Sequence, residues 1–241
     1  MSSSADRFIT VFSPEGHLWQ VEYAYKAVKQ SEVTAVSAKC KTGLVVAVQK
    51  KVQDKLIDPK TVTHMFKITE HVGACLVGYQ PDVDYICRRL RYEATTFEKK
   101  NGFEVPVSIL ASRISEVHQI ESQYSGARPT AVSTLLFGYE PSKDDFALFK
   151  VDPSGTTNGY KATACGVKEV EAQSTLEKKF QNFETTKELS EFVIGTLQAV
   201  VGVDFEPNEI EVAIVTKENT KYRLMENDEL RVILASVAEK D

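Results

Sequence analysis

Missing from these 241 residues is any run of the roughly 18 uninterrupted apolar positions that a membrane-spanning helix requires. Long blocks of one charge are missing too. The basic clusters stop at Lys50-Lys51 and at Arg88, Arg89 and Arg91, and the net charge is -5, so there is no basic stripe for nucleic acid. The four cysteines, Cys40, Cys75, Cys87 and Cys165, form no C-x-x-C pair, and they read as free thiols in a reducing compartment. Ser2 to Ser4 lie in a polar N-terminal stretch with no apolar run. No secretory signal is expected, and the cytoplasm and nucleus are the expected compartments.

Catalytic signatures are absent as well. There is no G-x-S-x-G elbow, no H-E-x-x-H, no phosphate loop and no G-x-G-x-x-G. His17, His64, His71 and His118 are scattered, without Cys or carboxylate neighbours at metal spacing. The acidic pairs Asp144-Asp145 and Asp82/Asp84 fall in turns or at a helix start, where carboxylates cap backbone N–H groups. Neither a metal nor a cofactor is expected.

What is present is a chain long enough to bury roughly 70–75% of its unfolded surface, with no linker to divide it. Residues 1–241 read as one domain. Ser13-Pro14-Glu15-Gly16 is a turn or helix-entry signal. After it Leu18, Val21, Tyr25 and Val28 share a helical face, which predicts a helix over about 17–30. Strands are predicted over 33–38, 44–49, 65–68, 72–77, 131–139, 146–151, 160–164 and 210–215. The spacing of Val83, Ile86, Leu90, Ala94 and Phe97 predicts a helix ending near Asn101-Gly102. A second starts at Pro106 and stops by Gly126. Further helices are predicted over 167–180, around Leu189 to Val200, and around Leu230 to Val237. Blocks of strands between the helices argue for α+β with sheet packed on sheet.

The run Thr10-Val11-Phe12-Ser13-Pro14-Glu15-Gly16-His17-Leu18-Trp19-Gln20-Val21-Glu22-Tyr23-Ala24 resembles the signature of proteasome alpha subunits, T-x-F-S-P-x-G-x-L-x-Q-V-E-Y-A, at every fixed position. Residues 42–56, Arg128-Pro129, Asp152 to Gly155 and Tyr160 to Ala164 look like the same family. Val62 to Thr69 and Glu209 to Val212 are similar to its eukaryotic alpha type-6 branch. A capped amphipathic helix explains Pro14 and the Leu18, Val21 and Tyr25 face, but not the matched polar Gln20 and Glu22.

The resemblance implies a four-layer αββα sandwich of the N-terminal nucleophile hydrolase type with an extra N-terminal helix. It implies a seat in a heptameric ring of alpha subunits stacked on beta subunits, within ATP- and ubiquitin-dependent protein degradation. The active relatives use a processed N-terminal Thr supported by an Asp and a Lys, so that the hydroxyl loses its proton at neutral pH. Those three positions fall on Val33, Gln49 and His64 here, and a non-catalytic subunit is expected. The alternative, an active threonine peptidase of beta type, has Thr34 as its best candidate, one residue out of register and therefore on the opposite strand face.

By the same resemblance residues 1–13 form a gate tail over the axial pore. Small polar residues cannot order themselves against a backbone entropy of roughly 1–2 kcal/mol each. Asp6, Arg7, Pro14 and Tyr23 match the family's gate cluster, whereas Ala5 stands where a Tyr is expected. The subunit is therefore expected to hold the open form less firmly than its neighbours. His64 falls where a Lys of the family's activator pocket meets the C-terminal carboxylate of a regulatory particle or other activator. It reads either as a weak pocket or as a strand-end histidine with a local partner.

Overall fold

The computed structural model describes residues 8–52 and 54–239. Helix α1, Trp19–Lys29, turns Val21, Ala24 and Val28 inward. Strands β1, Thr34–Lys39, and β2, Gly43–Gln49, make an antiparallel hairpin in which Ala35 pairs with Val48 and Lys39 with Leu44. Strand β8, Ala162–Gly166, lies on the other side of β1, with β9, Ile210–Thr216, and the two-residue β10, Arg223–Leu224, beyond β2. The second sheet holds β3, Met65–Lys67; β4, Val72–Gly78; β5, Val132–Glu140; β6, Asp145–Val151; and β7, Thr157–Gly159, in sequential order. Every pairing in both sheets is antiparallel.

The continuous run Leu44-Val45-Val46-Ala47-Val48 follows from this placement. Leu44, Val46 and Val48 enter the layer between the sheets, beside Leu135, Phe137, Phe146 and Leu148. Val45 and Ala47 point the other way, under α4, Glu169–Lys179; α5, Thr186–Val201; and α6, Asn227–Ala238. A strand covered on both faces has no reason to alternate apolar with polar. On the far side α2, Gln80–Asn101, and α3, Val107–Glu121, cover the second sheet through Val83, Ile86, Leu90, Leu110 and Ile114. The molecule is a four-layer αββα sandwich carrying α1 as an additional helix.

Local chemistry sets the ends. Gly102 closes α2 in the left-handed conformation, φ 79°, and Pro106 caps α3. Thr185 and Glu188 form a reciprocal capping box on α5. Three details differ from the sequence pattern. The strand predicted over 160–164 is β8, shifted to Ala162–Gly166, and the short β7 just before it, Thr157–Gly159, is not predicted and joins the other sheet, because the chain crosses between sheets at Tyr160-Lys161. Helix α3 ends at Glu121, and Tyr124 is exposed instead of continuing the apolar face. Strand β10 and the 3-10 turn Pro59–Thr61 are too short to show a period.

Two buried charged groups join elements distant in sequence. Arg128 grips Asp82 with both guanidinium NH groups at 2.7 Å, and Asp82 also accepts the Ala131 N–H at 2.9 Å, so the start of α2 is tied to the approach of β5. Lys150 on β6 lies between Asp152, at 3.4 Å, and Glu169 at the start of α4. Burial pushes the Asp152 carboxyl up, against the pull of the Lys150 ammonium.

His118, on α3, is fully buried, and neither ring nitrogen has a hydrogen-bond partner. Glu121 approaches Nδ1 only to 4.0 Å. Burial pushes the imidazolium down to about 4, while the Asp82 carboxylate favours the charged form. In the unfolded chain the ring returns to about 6.5 and takes up a proton first. The contribution of this group to stability is therefore full above about pH 6.5 and declines as the pH falls toward 4. His118→Leu is expected to reduce the slope of stability against pH in that window by up to about 1.4 kcal/mol per unit. Urea unfolding midpoints at several pH values measure it, and an unchanged slope refutes the assignment.

Candidate functional site

Two regions carry the sequence-predicted residues. The first is the N-terminal segment. The Ser13 N–H donates to the His17 carbonyl at 2.9 Å, the Ser13 hydroxyl accepts the His17 N–H at 3.1 Å, and Gly16 takes φ 86°. This closed turn holds Pro14 exposed in front of α1. Tyr25 anchors the helix, its phenol 3.0 Å from the Ser154 hydroxyl on the turn after β6, and burial pushes that phenol's pKa up. Tyr23 lies on the outer face, 39% exposed. No hydrogen bond, ion pair or ring contact among the described residues joins Pro14, Tyr23 and His64 to one another. Asp6, Arg7 and the unmatched Ala5 lie outside the described residues.

The second region is the end of the sandwich where β1 starts. Val33 is buried, and its carbonyl accepts the Val167 N–H at 3.0 Å. Gly166, at φ 103°, packs so closely that a Cβ there would stand 2.0 Å from the Val33 oxygen. Thr34 is fully buried, and its hydroxyl accepts the Lys168 N–H at 3.3 Å. Gln49 ends β2 half-buried, opposite Ile210. The nearby Lys150 ammonium is engaged by two carboxylates, whose charge holds its pKa above the ordinary lysine range against the cost of burial.

His64 precedes β3 and is 7% exposed. Its backbone N–H donates to Glu211 at 2.9 Å, and its carbonyl accepts the Leu76 N–H at 2.9 Å. The partners are local, but they hold the main chain. The ring Nδ1 is buried with no hydrogen-bond partner. Burial depresses the imidazole pKa, Glu211 opposes that shift, and Lys50, 3.6 Å from Glu211, reinforces it. The ring is accordingly neutral at pH 7. Glu211 and Lys50 escape a motif search. The signal for Glu211 is a single carboxylate inside the otherwise apolar strand Ile210-Glu211-Val212-Ala213-Ile214. Among the described residues no group of three or more His, Cys, Asp or Glu is arranged to hold a metal, and no helix is long and apolar enough to cross a membrane.

Comparison with known proteins agrees with this arrangement along the whole chain. A family model for the proteasome subunit matches residues 28–215, and a model for the N-terminal signature of the A-type proteasome subunits matches residues 6–27. The chain is 37% identical over 242 aligned positions to the alpha type-6 proteasome subunit of Caenorhabditis elegans, covering 100% of this chain and 98% of that protein. It is 39% identical over 239 positions to a probable alpha type-1 proteasome subunit of Schizosaccharomyces pombe, covering 98% and 97%. It is 35% identical over 235 positions to an alpha proteasome subunit of Methanocaldococcus jannaschii, covering 98% and 88%. The chain therefore belongs to the proteasome subunit family, and its N-terminal signature is that of the alpha type.

Proposed function

We propose that this chain is a non-catalytic subunit of the outer alpha ring of a 20S proteasome, where it contacts other alpha subunits and the beta ring. Its setting is ubiquitin-dependent protein degradation in the cytoplasm and nucleus. The observation that carries the reading is the state of residues 33 and 34. A nucleophile of this class needs a free N-terminal amine beside an exposed hydroxyl. Here Val33 is an internal residue with its carbonyl bonded, and the Thr34 hydroxyl is sealed against the Lys168 N–H. The family signature over residues 6–27 supports the gate role, with Asp6, Arg7, Pro14 and Tyr23 as its residues.

Docking of activator C-termini at His64 is the finer part of the proposal. A neutral ring with 7% exposure offers a terminal carboxylate no full positive charge, so this pocket is weak.

Two measurements test these readings. Particles assembled with Thr34→Ala should keep their full peptidase activity, and intact-mass analysis of the wild-type subunit should find its N-terminus upstream of Val33. A mature chain beginning at Thr34 would refute the proposal. For the pocket, His64→Lys should tighten binding of an activator tail peptide by about 1 kcal/mol, roughly fivefold. Equal binding by both forms refutes the pocket.

A further inference from the structure

The sequence holds two Asn-Gly pairs, Asn101-Gly102 and Asn158-Gly159. Such a pair is reactive wherever the glycine amide can reach the asparagine side chain, because glycine has no Cβ to hinder the approach. The fold treats the two pairs differently. At the end of α2 both reacting groups are occupied. The Asn101 carboxamide donates to the Phe97 carbonyl at 2.8 Å, and the Gly102 N–H donates to the Glu98 carbonyl at 2.8 Å.

Asn158 and Gly159 lie in β7, a three-residue strand at the edge of its sheet, and both are exposed. The ladder with β6 is bonded on either side of them. The Tyr160 N–H donates to the Leu148 carbonyl at 2.8 Å, and the Asp152 N–H to the Thr156 carbonyl at 3.0 Å. Bonded and unbonded pairs alternate in an antiparallel ladder, so Asn158 opposite Lys150 is a bonded pair and Gly159 opposite Phe149 is not. The Gly159 N–H therefore points out of the sheet, away from β6. Among the described residues the Asn158 carboxamide has no hydrogen-bond partner.

We propose that Asn158-Gly159 is a site of spontaneous covalent modification, deamidation through a cyclic imide, and that its product loosens the turn that anchors α1. The Gly159 amide nitrogen loses its proton and attacks Asn158 Cγ. A bond from Cγ to that nitrogen forms, the bond from Cγ to Nδ2 breaks, and Nδ2 leaves as ammonia with the displaced proton. Water then opens the ring at either carbonyl, giving aspartate or the isomer whose main chain runs through the side chain. No oxidant or reductant is needed. The rotation that joins the two groups must open the Asn158–Lys150 pair, which a short strand bonded on one side yields at low cost.

Register sets the consequence. Facing residues share a sheet face, with Cβ atoms about 4.5–5.5 Å apart. A carboxylate at 158 thus joins Asp152 and Glu169 around the Lys150 ammonium. The isomer also lengthens the backbone of β7 and breaks its pairing. Both products act on the turn of residues 152–155, where the Ser154 hydroxyl holds Tyr25 of α1.

The test uses assembled particles held in neutral buffer, with peptide mapping by mass spectrometry and isoaspartate labelling by a methyltransferase. Modification at 158 should outpace that at 101 by about 2- to 12-fold, the factor for the one further hydrogen bond that must open at Asn101. In the urea-unfolded chain the two rates should converge. Gly159→Ala should remove the modification at 158, and its Cβ would meet Phe149 at 3.4 Å, an ordinary contact. Asn158→Asp should raise hydrogen exchange over residues 152–160, whereas the uncharged Asn158→Gln should match the parent. Native modification no faster at 158 than at 101 overturns the inference, as does a difference that persists in urea or a rate unchanged by Gly159→Ala. Exchange unaltered by Asn158→Asp overturns the link to α1.

Discussion

Leu44, Val46 and Val48 meet Leu135, Phe137, Phe146 and Leu148 in a dry layer between two antiparallel sheets, and the remaining elements are arranged to keep that layer closed. Each sheet must then cover its outer face, which α2 and α3 do on one side and α4, α5 and α6 on the other. The layer also fixes register. A one-residue slip of β2 would bring Val45 and Ala47 into the gap in place of Leu44, Val46 and Val48. Because β1 and β2 are central in their sheet, the positions at their ends, Val33 and Gln49, inherit that rigidity.

The charged groups that enter this apolar frame are secured by partners of opposite charge. Lys150 is flanked by Asp152 and Glu169, and Asp82 is saturated by Arg128 and the Ala131 N–H. The Cys165 thiol, buried near the same cluster, is pushed up to about 12 and is inert as a nucleophile. These groups link layers and hold loops, and none of them is left free to exchange a proton with a substrate. Other buried polar atoms stay unpaired, among them both ring nitrogens of fully buried His118, His64 Nδ1, the Thr134 hydroxyl and the Tyr222 phenol.

Much of this was legible in the sequence, because helices and long strands carry periodic apolar patterns. The face of α2, the hairpin of β1 and β2, and the turn before α1 could each be read from spacing and turn residues. The family was legible through Thr10 to Ala24, where polar positions match as well as apolar ones. What could not be read is tertiary. The split of β7 from β8 at Tyr160-Lys161 depends on which sheet each strand joins. The role of Glu211 depends on Thr63, His64 and Lys50, remote in sequence and adjacent only once the sheets close.

The close approach of Gly166 to Val33 bears on how such a chain can change over time. With 2.0 Å between a would-be Cβ and the Val33 oxygen, residue 166 admits no side chain. Conversion to a cutting enzyme would need a hydroxyl at 33, a cleavage before it, and removal of the helix that precedes it. The last of these removes the alpha-type signature over residues 6–27 as well. Stepwise drift toward such an enzyme therefore requires three separate changes, and none of them relieves the limit at residue 166.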